Sequence, residues 1–462
     1  MGDILAYYLS VFDADSMYGY RHIISLFSAV ILIWMLGLSY LVFKANPKGL
    51  ENRFMAILLI CEGFKASWLV VDFFPSGSEY KELWSYLWFI RIEFIFFASI
   101  TSVLLYFSFP VYYRVNKLKF LYKEKYQKHV WYIVPILGLL IWMLLRVQDG
   151  FRFDNAAWLV CDGTTTYPVL ESWWGGITET MNSTKDAVGT CSNEFNILIV
   201  DEPQGLWVIA LSQAPVSIIA LLLFRSAMKD SLREKTLEKK NSLTNRSLYI
   251  GFLGKVIIGM IYTLTLVALL PLLNGGEFVT FAQNIKFQFG ADATVLDRIK
   301  LFLWTTSLAL PAIGIGFEAL MFVHATLKDT AFGIDQNLRK TFTNTMFAGL
   351  GATLFIICSE LVENFLGFGL LGGVVLGIGL FMVRKPVIGA IYGFSNYLIP
   401  SEFNQQEIEY LKLFEKSIKD GKITDNERML LDSLTAAYGI SEHRIAEIEN
   451  SFLVKLSDNE SE

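Results

Sequence analysis

The chain has 462 residues, of which 53% are hydrophobic and 18% charged, with a formal net charge of −5. Its apolar residues fall in runs of about 20, the length that crosses ~30 Å of hydrocarbon as a helix, so an ordinary water-soluble protein is excluded. A closed barrel is excluded too, because these runs lack period-two alternation. The net charge joins two unlike parts, basic loops between the apolar runs and an acidic tail after Pro400. No basic tract is interleaved with aromatics on a soluble face, so nucleic acid is not an expected partner.

Residues 1–21 are polar, aromatic and acidic, without the basic start of a cleavable signal. Nine apolar runs follow, at 22–43, 54–74, 84–109, 130–147, 205–224, 248–274, 302–325, 344–362 and 367–383. The fold class is therefore an all-α polytopic membrane body over 22–399. Lysine and arginine crowd the odd-numbered connections, with Arg114, Lys117, Lys119, Lys123, Lys125 and Lys128 in the third and Arg225 through Arg246 in the fifth. The even-numbered ones are poorer, although the sixth carries Lys286, Arg298 and Lys300. By the positive-inside rule, residues 1–21 lie outside a cell membrane and the C-terminus lies in the cytoplasm.

The fourth connection, 148–204, is too long for a simple turn. It holds Trp158, Trp173, Trp174 and the sequon Asn182-Ser183-Thr184, with Cys161 and Cys191 placed to close a disulfide if the loop faces an oxidising compartment. One reading is an external cap, joined by the strand-like Phe281–Phe289 of the sixth connection; the other is a passive loop with its tryptophans at the membrane interface. Residues 225–247 are dense in lysine and glutamate without a helix breaker and predict a charged cytoplasmic helix, facing either a partner or lipid headgroups.

Ionisable side chains inside spans are costly and so mark sites. The second span carries Glu62, Lys65 and Asp72, and the third Arg91 and Glu93. At ~1.5 Å per residue, Asp72 matches Arg91 in depth, and Lys65 can reach Glu93; Glu62 and Lys65 also share a face at i, i+3. Lys255 and Glu318 each lie seven residues from the inner ends of their spans and predict a second pair. Glu318 follows Pro311-Ala312-Ile313-Gly314-Ile315-Gly316, where a helix breaks easily, and Ser212-Gln213-Ala214-Pro215 offers a similar interruption. Together with Glu360 and Glu363, between the last two spans, these residues read either as structural ion pairs or as an ion or ligand site. In the last span Gly369, Gly373 and Gly377 stand four apart and let a neighbouring helix approach, within the chain or in a second copy.

Catalytic signatures are absent. His22, His129, His324 and His443 are scattered, and no metalloprotease, nucleophile-elbow or phosphate-loop motif occurs. No metal centre or cofactor is indicated.

After Pro400 the pattern is that of soluble amphipathic helices, one at 404–419, a second opening on the capping box Thr424-Asp425-Asn426-Glu427, and a third from Ser441 to Leu453. The run Phe414 through Asp420-Gly421-Lys422-Ile423-Thr424 to Glu427, followed by Gly439-Ile440-Ser441, resembles the repeat of TerB-like (tellurite-resistance-type) helical domains. The resemblance covers about 50 residues and is carried by Asp420, Gly421 and Glu427. It implies a regulatory or scaffolding module at the membrane, one able to respond to a metal ion. The same residues overlap half of a calcium loop, but Lys416 and Ile418 stand where carboxylate ligands belong.

The expectation is a non-enzymatic sensor, receptor or scaffold that couples an external cap, through the membrane body, to the module at 400–462. Its partners would be membrane lipid and a protein or second copy. The alternative is an ion- or proton-coupled transporter or channel, and the third reading is an enzyme acting on a lipid-linked substrate.

Overall fold

The computed structural model describes residues 21–67, 70, 81–147, 156–161, 169–172, 195–200, 215–228, 239–276, 294–307, 309–327, 378–379, 382, 384–391, 393, 405–418, 423–446 and 448–450. They fall into two compact units, one within 1–41 and 53–319 and the other within 42–52 and 320–462.

Ten helices carry the labels used below: α1 Arg21–Ala45, α2 Leu50–Ala66, α3 Lys81–Tyr112, α4 Glu124–Arg146, α5 Pro215–Met228, α6 Lys239–Leu264, α7 Val295–Ser307, α8 Leu310–Leu327, α9 Gln405–Ser417 and α10 Asp425–Tyr438. Helix α6 continues through a π-helical stretch, Thr265–Leu269, into a last turn at Leu270–Leu273. Pro271 explains the widening, because its ring crowds the carbonyl four residues back and it has no N–H to give.

Among the described residues, five helices are long and apolar enough to cross a membrane: Phe27–Ala45 in α1, Ile90–Tyr112 in α3, all of α4, Thr244–Leu273 in α6 and its extension, and all of α8. They differ in place. The α8 window is 78% buried inside the protein, whereas those of α4 and α6 are 11% buried. Helix α4 turns Ile133, Ile136, Leu140, Met143 and Leu144 outward. An apolar face of that extent is not stable against water and suits hydrocarbon.

In the first unit, polar side chains and small residues set the helix pairings. Ser39 Oγ donates to the Ala56 carbonyl at 2.8 Å, and Ser28 donates to that of Ala66, so α1 and α2 run antiparallel. Helices α3 and α4 are also antiparallel, joined at one end where Gln127 Nε2 donates to the Val111 carbonyl and at the other where Trp142 Nε1 donates to Glu93. Between these ends Gly138 allows the closest approach, since a Cβ there would stand 2.3 Å from Thr101 Oγ1. Helices α6 and α8 meet through Gly254, where a Cβ would stand 2.2 Å from the Phe317 ring. An aromatic core from α2, α3, α5 and α6 completes this unit: Phe109 packs edge-on against Phe54, Phe224 and Phe252, with centroids 5.3, 5.5 and 5.4 Å apart.

Two expectations need correction. The all-α plan has an exception in the fourth connection, where β1 (Ala156–Cys161), β2 (Val169–Ser172) and β3 (Phe195–Val200) form an antiparallel sheet in the order β2-β1-β3. Leu159 pairs with Leu170 on one side and Ile197 on the other. Aliphatic runs such as Phe195-Asn196-Ile197-Leu198-Ile199-Val200 suit a pleated strand and are too short to span a membrane. The strand-like 281–289 lies outside the described residues. Secondly, the seventh run is interrupted just before Pro311-to-Gly316, not within it. The chain ends α7 at Ser307 and opens α8 at Leu310, so Pro311 sits in the first turn, where its missing N–H costs nothing.

Helices α1 to α8 fall at the first seven expected runs, the seventh being divided between α7 and α8, but α2, α5 and α7 are not long and apolar enough to count as spans. The eighth run lies outside the described residues, as does all of the ninth except 378–379 and 382. So do 229–238 of the charged segment, whose flanks belong to α5 and α6.

In the second unit, α9, α10 and the helical residues 442–446 and 448–450 enclose a core of Tyr410, Leu411, Phe414, Leu431, Ile445 and Ile448. Thr424 caps α10 through a complete capping box with Glu427. Gly439, at φ 66°, ends the helix in the left-handed conformation that favours glycine. Glu407 accepts from Arg444 at 2.8 Å, and Glu449 accepts from Arg428 at 2.8 Å and from the Tyr410 hydroxyl. Burial, and then this bond to Glu449, push the Tyr410 phenol above its usual range.

Candidate functional site

Four ionisable side chains meet in the interior of the first unit. Glu62 and Lys65 come from adjacent turns of α2, Lys255 from α6 and Glu318 from α8. Helix α3 adds Ser102 and Tyr106, one turn apart on the same face. Glu62, Lys65, Tyr106 and Glu318 are all buried, and Lys255 is nearly so.

Lys255 Nζ is the centre of the cluster. It donates to Glu318 Oε2 at 2.6 Å, to Glu62 Oε2 at 3.0 Å and to the Tyr106 hydroxyl, which together occupy the three donors of an ammonium. The Tyr106 hydroxyl in turn donates to Glu318 Oε2 at 3.0 Å. Lys65 Nζ donates to Glu62 Oε1 at 2.6 Å and to Ser102 Oγ at 3.2 Å, and the Ser102 hydroxyl donates in turn to the Ser99 carbonyl at 3.1 Å. The Tyr106 ring lies beside both ammonium groups, with its centroid 4.6 Å from Lys255 Nζ and 5.7 Å from Lys65 Nζ. Two carboxylates thus face two ammonium ions. Charge balance of this kind is what makes ions tolerable in a low-dielectric interior.

The balance is complete in charge but uneven in hydrogen bonds. Both oxygens of Glu62 accept from lysine. Glu318 places both of its bonds on Oε2, and its buried Oε1 has no hydrogen-bond partner among the described residues. That oxygen is the one acceptor of the cluster's carboxylates left for a proton or another donor.

The expected Lys255–Glu318 and Glu62–Lys65 pairs are both present, and Lys255 joins them into one network. The expected Lys65–Glu93 pair is not. Lys65 turns inward to Glu62 and Ser102, whereas Glu93 binds Arg146 at 2.8 Å and accepts from Trp142 Nε1 at 3.1 Å. Arg146, the last residue of α4, lies against Glu93 of α3, so the carboxylate is neutralised without lysine.

Sequence reasoning missed Tyr106 and Arg146. Their signals were a tyrosine one turn after Ser102 in a phenylalanine-rich run, and an arginine at a span end whose stem can fold back. Asp72, Glu360, Glu363, Cys191, Gly369, Gly373, Gly377, Asp420 and Gly421 lie outside the described residues. Cys161 is the last residue of β1. Among the described residues, no group of three or more histidine, cysteine, aspartate or glutamate side chains could hold a metal ion.

The fold and site define a largely helical protein with, among the described residues, five helices suited to crossing a membrane and a buried four-charge network where α2, α6 and α8 meet. No family model matches the chain, and neither a curated protein nor a solved structure is significantly similar to it.

Proposed function

We propose that the chain is a multi-pass protein of the cell membrane, with nine spans, residues 1–21 outside and the C-terminus in the cytoplasm. In this reading it is a non-enzymatic sensor, receptor or assembly scaffold whose cytoplasmic module, TerB-like in its Asp420-Gly421 and Glu427 pattern, engages a protein partner. The observation that carries it is the closed core of the module. Tyr410, Phe414 and Leu431 are buried among three short helices, and Arg444–Glu407 and Arg428–Glu449 pin the helices together. A tail serving only as an anchor for the last span would not need a core of its own. Detergent-solubilised full-length protein, compared by affinity pull-down with a chain ending at Pro400, tests this. Partners lost with the tail support it, and identical partner sets from the two chains would overturn it.

A second reading, ion- or proton-coupled transport, draws on one observation, the buried Glu318 Oε1, which has no hydrogen-bond partner among the described residues. Transport predicts that E318Q and E62Q abolish ion-dependent flux in proteoliposomes while the protein stays folded. Undiminished flux in both variants would remove this reading.

A further inference from the structure

The connection between α3 and α4 is strongly basic. Over residues 113–130 it carries six basic side chains, Arg114, Lys117, Lys119, Lys123, Lys125 and Lys128, against the single carboxylate of Glu124, and all seven are exposed. Three rings interleave with them and are also exposed, Phe120, Tyr122 and Tyr126, so the expectation that no exposed basic tract carries interleaved aromatics is corrected at this connection. Phe120 is 61% exposed, unusual for a phenylalanine in a folded connection.

This connection is held in one shape. Asn116–Leu118 form a 3-10 turn, and the backbone bonds Leu121 N to Leu118 O (2.9 Å) and Tyr126 N to Lys123 O (2.9 Å) carry the chain round into α4. Two further bonds bind it to the end of α3: Gln127 Nε2 donates to the Val111 carbonyl, and the Tyr112 hydroxyl donates to the Gln127 carbonyl, each at 2.9 Å. Arg53 of α2 lies over the Trp131 ring at 5.2 Å and brings another cation to the same end.

The membrane-length segments of α3 and α4 end at Tyr112 and begin at Glu124, so the connection stands at the level where their apolar surfaces stop. The opposite end of this helix pair is different, because there Arg146 is paired with Glu93 at 2.8 Å. Basic side chains with aromatic rings at the end of a hydrophobic span have a specific chemical complement. The rings lie at the depth of the glycerol and carbonyl groups, and the lysine stems carry their ammonium heads to the phosphates. An acidic soluble partner would complement the charge but would give Phe120 and Tyr122 no apolar layer to enter.

We infer that residues 114–128 form a collar that binds the anionic phospholipid headgroups of the surrounding bilayer. The inference rests on the membrane reading above. Each exposed lysine near an anionic surface strengthens binding by about fivefold at low salt, and screening over a Debye length of ~8 Å at physiological ionic strength reduces this.

The test uses full-length protein in detergent, titrated with phosphatidylglycerol or phosphatidylcholine, with thermal unfolding and native mass spectrometry as readouts. The wild type is expected to retain and be stabilised by phosphatidylglycerol over phosphatidylcholine, with a preference that fades as NaCl rises. Two separate variants, K117Q/K119Q and K123Q/K125Q, alter only exposed side chains, and each is expected to weaken that preference on the order of tenfold. K412Q/K416Q, in the C-terminal module, should leave it unchanged. Equal retention of the two lipids by the wild type, or full preference in both loop variants, would overturn the collar. Equal stabilisation by inositol hexakisphosphate, which has no acyl chain, would also overturn it in favour of a soluble polyanion. The membrane reading fails separately, if the chain stays soluble without detergent and does not float with vesicles.

Discussion

Lys255 Nζ on α6 lies 2.6 Å from Glu318 Oε2 on α8, although the two residues are 63 apart in the chain. The same ammonium also reaches Glu62 on α2, so one lysine ties three helices together. Removing it leaves two buried carboxylates sharing Lys65. We expect K255M to destabilise the protein by about 3–5 kcal/mol, the cost of stranding a buried charge. In K255M/E318M the remaining Glu62–Lys65 pair is neutral again, so much of the loss should return. Thermal unfolding in detergent, followed by tryptophan fluorescence, measures the coupling, and strictly additive losses would refute a shared network.

Tyr106 contributes its ring and its hydroxyl separately. Y106F keeps the ring beside Lys65 and Lys255 but deletes the hydroxyl that accepts from Lys255 and donates to Glu318. The expected cost is about 1–3 kcal/mol, the penalty for leaving buried polar groups unsatisfied. In a double-mutant cycle with E318Q the loss should be strongly non-additive. Independent effects of the two substitutions would mean that the hydroxyl does not act through Glu318.

Close packing of α6 on α8 is a precondition for the Lys255–Glu318 contact. A Cβ at Gly254 would stand 2.2 Å from two carbons of the Phe317 ring, so G254A must displace that ring or separate the helices. We expect a loss of about 1–3 kcal/mol, the usual cost of overpacking. G254A/F317V should recover part of it. If G254A unfolds at the wild-type temperature, the helices are looser than this contact requires.

What the sequence made legible follows from what depth and periodicity can carry. Counting residues from span ends placed Lys255 beside Glu318, and i, i+3 spacing placed Glu62 beside Lys65, because both are properties of straight helices. Neither method says how a helix is rotated about its axis. That is why Lys65 was read toward Glu93, when rotation turns it to Ser102 and leaves Glu93 to Arg146. The glycines that set the α6–α8 spacing carry no charge, and single glycines inside an apolar run do not announce a contact. In the fourth connection the aliphatic strands were overshadowed by its tryptophans and cysteines. The module was more legible, because Thr424, Glu427 and Gly439 act through local backbone geometry that the sequence states directly.

The capping box provides a prediction with a definite pH sign. The Thr424 backbone N–H donates to Glu427 Oε2 at 2.8 Å, and the Thr424 hydroxyl donates to the same oxygen at 2.7 Å. Chiefly through the backbone bond, and then the hydroxyl, the Glu427 carboxyl is held below its ordinary value of 4.5. A carboxyl lowered in the folded state adds stability that is fully present above its unfolded value and is lost as pH falls through its folded value. Protection of the α10 amides in the full chain, read by hydrogen exchange, should therefore weaken as pH falls below about 4.5. Glu427→Gln keeps an acceptor oxygen but cannot titrate, so it should flatten this dependence, with neutral-pH protection lowered toward the wild-type level in acid. Thr424→Ala removes the hydroxyl that accepts from the Glu427 N–H and donates to its carboxylate, and should cost about 1 kcal/mol of helix stability at neutral pH and less in acid, where the carboxyl is protonated. An acid dependence of α10 protection that is the same in wild type and Glu427→Gln would place the titrating group elsewhere in the module.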